Sequence, residues 1–461
     1  MQSKAFRTQH FFNKFKVNHI LELSSVRKEI FENANVPVSI IFYESSNEEE
    51  VLKNIINYIS MKPNPYFEKL KILLLSKSDF KKVNQSKLLE YDYLWRILVY
   101  GSYLDFNFIK KLKSNNTIAN HIESEAQGVI VGNQKESAQE YLNMPYIQTK
   151  NFKPFYIEKS NLLWNKEFLE RKRTKDIFKS PSLLISQGID VNLDLKVGIL
   201  KKDSIFTSTI SSIKVGNEKT LYSIMGILKS SFFKYFVMNT ASSLAIEREK
   251  LLDFEKFSLP YIHDLEVIQS TKDIEQYSKN TFAQYDKEFN ELKEILNQNV
   301  LKAFELNKQE EALVDYANNI MIPWIMQKNY SVAFKKYDYK DEKIEAYIDI
   351  FVKHYTNIYK ELNMYFKAEI LWDDYAIGIY FKVLSEKPNK QIIWEKEKNI
   401  QNFLKLSSGK TLENLFIQKD IKGFESDGFY VVKPNEYKNW HEAIGYLDFY
   451  EFRDAILRAG K

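Results

Sequence analysis

Between Lys150 and Lys179 the chain carries nine basic residues: Lys150, Lys153, Lys159, Lys166, Arg171, Lys172, Arg173, Lys175 and Lys179. Only four acids, Glu158, Glu167, Glu170 and Asp176, stand against them. The local excess equals the formal net charge of the whole 461-residue chain, +5. Clustered ammonium and guanidinium groups can neutralise phosphates, each contact releasing condensed counterions. The bland alternative is a solvated helix face around the LERKRTKD run. The patch lies directly before a buried-strand pattern. The candidate phosphate-binding residues are Arg171, Lys172, Arg173, Lys175 and Lys179, with Lys201, Lys202 and Arg248 further along. Sequence reading on a duplex would fall to loops around Gln187 to Leu195 and Ile210 to Asn217.

Other groupings carry less chemistry. The absence of cysteine removes disulfides, zinc–cysteine clusters and thiol catalysis together. Trp440, His441, Asp448 and Glu451 invite a site reading, but one His followed by two carboxylates falls short of a metal site or a catalytic set, and packing explains them better. Tyr91, Tyr93, Trp95 and Tyr100 could stack on bases, although aromatics at this density more often form core. Paired acids arise by chance among 61 Asp and Glu, and none has a Lys at nuclease-like spacing. No catalytic residue, metal ligand or cofactor-binding residue is assigned.

The patch works only if the fold presents it. The Pro-led apolar run from Ser182 to Ser186 predicts a buried strand. A second strand near Ile205 to Val215 alternates Thr and Ser with Ile and Phe, which suits a half-buried sheet. Leu221 to Asn239 repeats apolar residues at helical spacing, with Gly226 as its weak point. A short strand ends at Pro260. Ile274, Tyr277, Phe282, Tyr285, Phe289, Leu292, Leu296 and Val300 mark one stripe of a long helix, and the helical run stops at Pro323. Another helix is expected from Tyr339 to Tyr365. Ala368 to Leu384 predicts a hairpin turning near Asp373-Asp374. QIIWEKEKNIQNFLKL reads as a strand running into a helix. The closing stretch from Gly428 reads as a strand, a Pro-Asn turn and a helix.

The order of the central pieces resembles the target-recognition domain of N6-adenine DNA methyltransferases of the TaqI and Eco57I kind. A Pro-opened apolar strand holds Phe178, Pro181, Leu183, Leu184 and Ile185. A helix follows with Ile227, Leu228, Lys229, Ser230, Phe233 and Tyr235, and Phe257, Leu259 and Pro260 close the unit. Gln127 to Asn133 and Met144 to Ile157 resemble its opening segments. Gly128 and Gly132 there would allow close approach of a phosphate, or simply serve turn geometry. Phe304, Leu306, Glu310 and Glu311 fall in register with the family's closing segment. At the N-terminus, Arg7, Ile20, Leu21, Leu23, Phe31 and Ser39 to Phe42 resemble the last strands of the same family's catalytic domain. VNHILELS (17–24) and VPVSIIFYE (36–44) are those strands.

The family's chemical equipment is not matched. No G-x-G occurs for the S-adenosylmethionine turn. The Asn/Asp-Pro-Pro-aromatic tetrapeptide that holds a flipped adenine is not matched either. Asn64-Pro65-Tyr66-Phe67 is a lookalike with one Pro too few, and a turn before a strand at Leu70 to Leu75 explains it.

The expected architecture is therefore α/β and α+β. The end of a doubly wound methyltransferase sheet occupies residues 1–115 and a mixed α+β recognition domain residues 116–262. A helical segment follows over 263–366, then a small α+β module over 367–461. Half a doubly wound sheet leaves an unpaired edge and an uncovered face, so such a piece needs a partner. The resemblance implies the DNA-binding part of a split or truncated N6-adenine methyltransferase of a restriction-modification or phage-defence system. Its partners would be double-stranded DNA and a catalytic subunit carrying S-adenosylmethionine, with no cofactor in this chain. The alternative is a non-catalytic interaction subunit of a defence complex built on the same scaffold. No apolar run approaches the ~18 residues of a membrane span, and MQSKAFRTQHFF is no signal peptide. A cytoplasmic location is expected.

Overall fold

The computed structural model describes residues 6–31, 33–113, 116–133, 135–242, 244, 251–280, 286–328, 330–397, 409–412, 415–418 and 420–459. It is a mixed α/β protein in two units, Met1–Phe106 with Asp315–Lys461, and Asn107–Val314. The sequence reading divides the chain instead at 115, 262 and 366. The helices Leu265–Asn280 and Lys287–Ala303 share the middle unit, the first packing directly on Glu218–Lys229.

In the unit built from the chain ends, a four-stranded sheet runs in the order Ser39–Ser45, Phe15–Glu22, Ile55–Ser60, Phe80–Asn84. The two outer pairs are antiparallel and the central pair is parallel. Val17, Ile20, Ile56 and Tyr58 point into its core. The two predicted N-terminal strands are present. Ile55–Ser60 and Phe80–Asn84 were not foreseen, because Asn57 and the Lys81-Lys82 pair interrupt their apolar patterns. Buried Gln85 ties the sheet to the preceding turn: its side chain accepts from the Val17 amide and donates to the Phe12 and Phe15 carbonyls. Asn64 is used up locally, donating to the Ile72 carbonyl and accepting from the Tyr66 amide. It caps a turn ahead of the strand Leu73–Ser76.

The same unit holds a five-stranded sheet in the order Ile392–Lys396, Tyr365–Trp372, Ala376–Leu384, Gly428–Pro434, Ile421–Glu425. The helices Glu342–Glu361 and Glu442–Ala459 pack with it, Tyr347, Phe351 and Phe452 meeting Phe366, Phe381 and Phe429 in one core. Asp341 caps the first helix through the Lys343 amide. The predicted hairpin, the parallel strand beside it and the closing helix are present, while the helix expected after Lys396 falls outside the described residues. Trp440 is fully buried against Tyr347, and His441 pairs with Asp315 at 2.8 Å. Asp448 accepts from Lys422, Lys433 and the Tyr347 hydroxyl, and Glu451 from Lys77 and Lys422. All four residues are structural. Pro323 does not stop the helical run. A π-helical turn, Ala317–Met321, leads straight into Ile322–Ile325, so the run carries on past the proline to Ile325.

In the middle unit an antiparallel sheet runs Leu195–Leu200, Ser182–Ile189, Ile210–Lys214, Ser124–Gln127. Leu183, Leu184 and Ile185 are all fully buried although neighbours point to opposite faces. Both faces of this strand are therefore covered, which is why its sequence reads as a continuous apolar run.

Four expectations are corrected here. The strand expected near 205–215 is two strands, Ile205–Phe206 and Ile210–Lys214, and the first pairs in parallel with Tyr146–Ile147. The helix expected over 221–239 is two helices, Glu218–Lys229 and Ser231–Thr240. The break falls at Ser230, whose hydroxyl accepts from the Phe233 amide, and not at Gly226. The strand expected to end at Pro260 is mostly the helix Asp253–Phe257, leaving Pro260 a single bridge to Thr117. The long helical stripe after residue 262 is two helices packed on one another, Leu265–Asn280 and Lys287–Ala303. Phe282 and Tyr285 of that stripe lie outside the described residues.

Candidate nucleic-acid interface

The basic stretch is not a helix face. From Phe168 to Thr174 the backbone is extended or irregular, and a single tight turn, Lys175–Phe178, follows. Phe168–Leu169 pairs with Glu136–Ser137, and Arg171 forms a bridge with Ile130. The ribbon is anchored by buried side chains at intervals. Leu169 and Phe178 join Tyr141, Trp164, Phe206 and Ile210 in a small core beside the sheet. Between those anchors the backbone is held by hydrogen bonds: the Lys172 amide donates to Glu136 at 2.7 Å, and the Arg173 amide to the Tyr141 hydroxyl at 3.2 Å. Of the side chains between them, Arg171, Lys172, Thr174 and Lys175 are exposed, while Arg173 is half-buried and Ile177 packs on the core.

The candidate cations divide into two groups. Arg171, Lys175 and Lys202 are exposed and make no ion pair among the described residues. The others are engaged. Lys172 faces Glu140 at 3.5 Å. Lys179 pairs with Asp176 at 2.6 Å, which lowers the pKa of that carboxyl and raises that of the lysine. Lys201 reaches Glu275 and the Tyr222 hydroxyl, both at 3.1 Å. Burial works against the Lys201 charge, but those two bonds outweigh it and raise its pKa. Arg173 spends its Nε–H on the Gln127 carbonyl at 2.9 Å, tying the ribbon to the edge strand of the sheet. Arg248 lies outside the described residues.

Carboxylates sit within the patch as well: Glu170 is exposed beside Arg171, Glu140 faces Lys172, and Asp176 and Asp203 act on Lys179. Asp203 accepts from the Ser180 amide at 2.8 Å and from its hydroxyl at 2.9 Å, and the amide bond is the main cause of its lowered pKa. Lys214, at the end of its strand, acts electrostatically on Asp176 and Asp203. Sequence reading missed it, since only the sheet brings it beside the turn at Lys179. Asp176 and Asp203 thus restrain part of the positive charge, while Arg171 and Lys175 stay exposed without an ion pair among the described residues.

The expected reading loops are also altered. Ile210–Lys214 is an interior strand with Ser211 and Ser212 buried, so it cannot meet a base edge. The turn Thr207 to Thr209 before it ends on an exposed Thr209. Asp190 to Asp194 is a self-tied turn in which Asp190 accepts from the Asn192 and Asp194 amides. Gly128 approaches a backbone, but a protein one: a Cβ there would strike the Phe206 carbonyl. At Gly132 a Cβ would strike the Glu170 carboxylate. Backbone packing accounts for Gly128, while the Glu170 side chain can swing away from Gly132. Tyr100 is core, buried with its hydroxyl 2.9 Å from that of Ser25, while Tyr91 and Tyr93 are half-buried against Phe106.

No family model and no curated protein matches this chain. Solved structures of two restriction-modification enzymes are similar to it in fold. One is the type IIG restriction endonuclease BpuSI, at 12% identity and a TM-score of 0.32, covering 71% of this chain and 46% of that one. The other is the type IIL restriction-modification enzyme MmeI in complex with DNA, at 12% identity and a TM-score of 0.37, covering 71% and 49%. The chain spans about half the length of each solved chain it matches. Among the described residues no helix is long and apolar enough to cross a membrane, and no group of three or more acidic or histidine residues could hold a metal ion.

Proposed function

We propose that the middle unit grips double-stranded DNA, as the recognition part of a split or truncated N6-adenine DNA methyltransferase of a restriction-modification system. The observation that carries this reading is the anchored ribbon between Leu169 and Phe178, which exposes Arg171 and Lys175 without ion-pair partners while its backbone is fixed. A fixed backbone with free cations favours phosphate contact, because little ordering entropy remains to oppose it. Lys202 extends the patch from the neighbouring loop. Phosphate contacts of this kind set position, and base reading falls to the Thr207–Thr209 turn. The G-x-G turn and the Pro-Pro tetrapeptide do not occur in this sequence, so on this reading S-adenosylmethionine and the methyl-transfer chemistry lie outside these 461 residues.

The test is duplex binding by the purified chain across a salt series. Binding that weakens steeply with salt, and weakens further for the triple variant Arg171→Ala/Lys175→Ala/Lys202→Ala, supports the reading. Affinity untouched by the triple variant refutes this placement of the interface.

A further inference from the structure

A second group of lysines gathers in the middle unit, outside the stretch whose composition stands out. Lys272, Glu275 and Lys279 follow one another at spacings of three and four on the helix Leu265–Asn280, so they share one face. That helix packs on Glu218–Lys229, which brings Tyr222 against the same face. Lys201 reaches in from the loop after the strand Leu195–Leu200. Both oxygens of Glu275 are taken by lysines, one by Lys201 at 3.1 Å and the other by Lys279 at 2.7 Å. The Tyr222 hydroxyl donates to the same carboxylate at 2.9 Å. The Lys272 ammonium lies 5.0 Å from the centre of the Tyr222 ring, a cation–π contact. Glu275 and Tyr222 are buried, so helix packing sets where these lysines are held.

Stability alone does not account for this arrangement. One lysine suffices to neutralise Glu275, and a second brought against it adds repulsion between like charges. Burial lowers the pKa of Lys279 and Lys201 lowers it further, although Glu275 opposes both. Lys272 makes no ion pair among the described residues. Of the acids next in sequence to these lysines, Asp273 turns to Gln269 at 2.7 Å and Asp203 to Ser180 at 2.8 Å. Three ammonium groups thus face one carboxylate on a fixed support, and an added anion would relieve the excess.

Continuity identifies the anion. Lys201 is followed directly by Lys202, which is exposed and belongs to the patch described above. The bonds from Ser180 to Asp203 tie the end of the ribbon to this same loop. Cations therefore follow one another from Arg171 and Lys175 through Lys179, Lys202 and Lys201 to the helix face. An isolated anion needs a single such group. A row of compact ammonium charges matches the repeated phosphates of a nucleic-acid backbone.

We infer that Lys272 and Lys279 make a second set of phosphate contacts with the duplex, on a platform built by Glu275 and Tyr222. The inference rests on the DNA-binding function proposed above and extends its footprint to a helix without a basic run in its sequence.

Duplex binding by the full chain across a salt series tests it. Lys272→Ala/Lys279→Ala should reduce the slope of log affinity against log salt by about 1.8, two contacts at about 0.9 each. Lys272→Arg/Lys279→Arg should keep the parent slope, because the charge is retained. Should the alanine variant melt early, Lys272→Gln/Lys279→Gln takes its place. Lys196→Ala/Lys308→Ala removes equal charge from two exposed lysines of the same unit, unpaired among the described residues, and should change the slope by less than half as much. A parent-like slope for the Lys272/Lys279 variants, or an equal fall in that control, overturns the second contact. A slope that responds to the ribbon triple variant but not to Lys272 and Lys279 sinks this inference alone. One that responds to Lys272 and Lys279 but not to the ribbon sinks the ribbon placement alone. A chain without salt-dependent duplex binding sinks both.

Discussion

The phenol of Tyr141 holds Arg173 by its main chain, donating to the Arg173 carbonyl while accepting from the Arg173 amide. Tyr141 is itself fully buried in the small core of the middle unit. One aromatic residue thus couples that core to the middle of the cationic ribbon. Tyr141→Phe keeps the ring and loses both bonds, at a cost of about 1–2 kcal/mol. Duplex affinity should fall while its salt slope stays the same, since no charge is removed. Fluorescence anisotropy at several salt concentrations checks this, and a changed slope with unchanged affinity would contradict it.

Cations that are free and cations that are paired should separate in the same assay. Arg171→Ala, Lys175→Ala and Lys202→Ala should each reduce the slope of log affinity against log salt by about 0.9. Lys201→Ala should change it by less than half as much, because that ammonium already serves Glu275 and Tyr222. Equal slopes for Lys201→Ala and Lys202→Ala would show that ion pairing in the free protein does not govern which lysine meets phosphate.

Asp448 supplies a pH dependence in the unit built from the chain ends. Burial opposes its ionisation, but Lys433 and Lys422 outweigh burial and hold its carboxyl at about 2, against an ordinary 3.8. A depressed carboxyl pKa contributes stability that is present above the unfolded value and lost as pH falls through the folded one. The loss should therefore lie between about pH 4 and pH 2. Asp448→Asn leaves two lysines partly uncompensated in the interior and should cost about 3–5 kcal/mol at neutral pH. Urea unfolding followed through buried Trp440 at pH 7 and pH 3 measures both effects. A variant as stable as the parent at pH 7 would refute the ion-pair account.

Gly226 lies inside the helix Glu218–Lys229, where Ala would ordinarily gain about 1 kcal/mol. Here a Cβ would collide with the Thr271 hydroxyl and crowd Val267 on the packed helix Leu265–Asn280. Thr271 cannot easily turn away, since its hydroxyl donates to the Val267 carbonyl at 2.7 Å. Gly226→Ala should therefore destabilise by about 1–3 kcal/mol. A raised melting temperature would show that the two helices can move apart cheaply.

Features with a short-range signal were legible before the structure. The strand Ser182–Ile189 was announced by an apolar run behind Pro181. The hairpin between Tyr365 and Leu384 was announced by two apolar runs around Asp373-Asp374. The helix Glu342–Glu361 falls inside the Tyr- and charge-rich stretch from Tyr339 to Tyr365 that reads as helical, and its cap at Asp341 shows only in the structure. Strands such as Phe80–Asn84 were hidden, because their polar residues are tolerated only by the neighbours they meet. Pro323 misled because its position within a helical turn, rather than its presence, decides whether it breaks a helix.

The clustering of positive charge from Lys150 to Lys179 is a property of the sequence, since composition along a chain needs no partner to be read. Which of those charges stay available is not. Lys201 and Lys202 are adjacent and chemically identical, yet the first is bound to Glu275, 74 residues away, while the second is bare. The same holds for apolar strands: Leu183 to Ile185 and Ile40 to Tyr43 read alike, but only the first run is covered. Local pattern sets what a segment prefers to be. Long-range packing alone decides what remains exposed to meet another molecule.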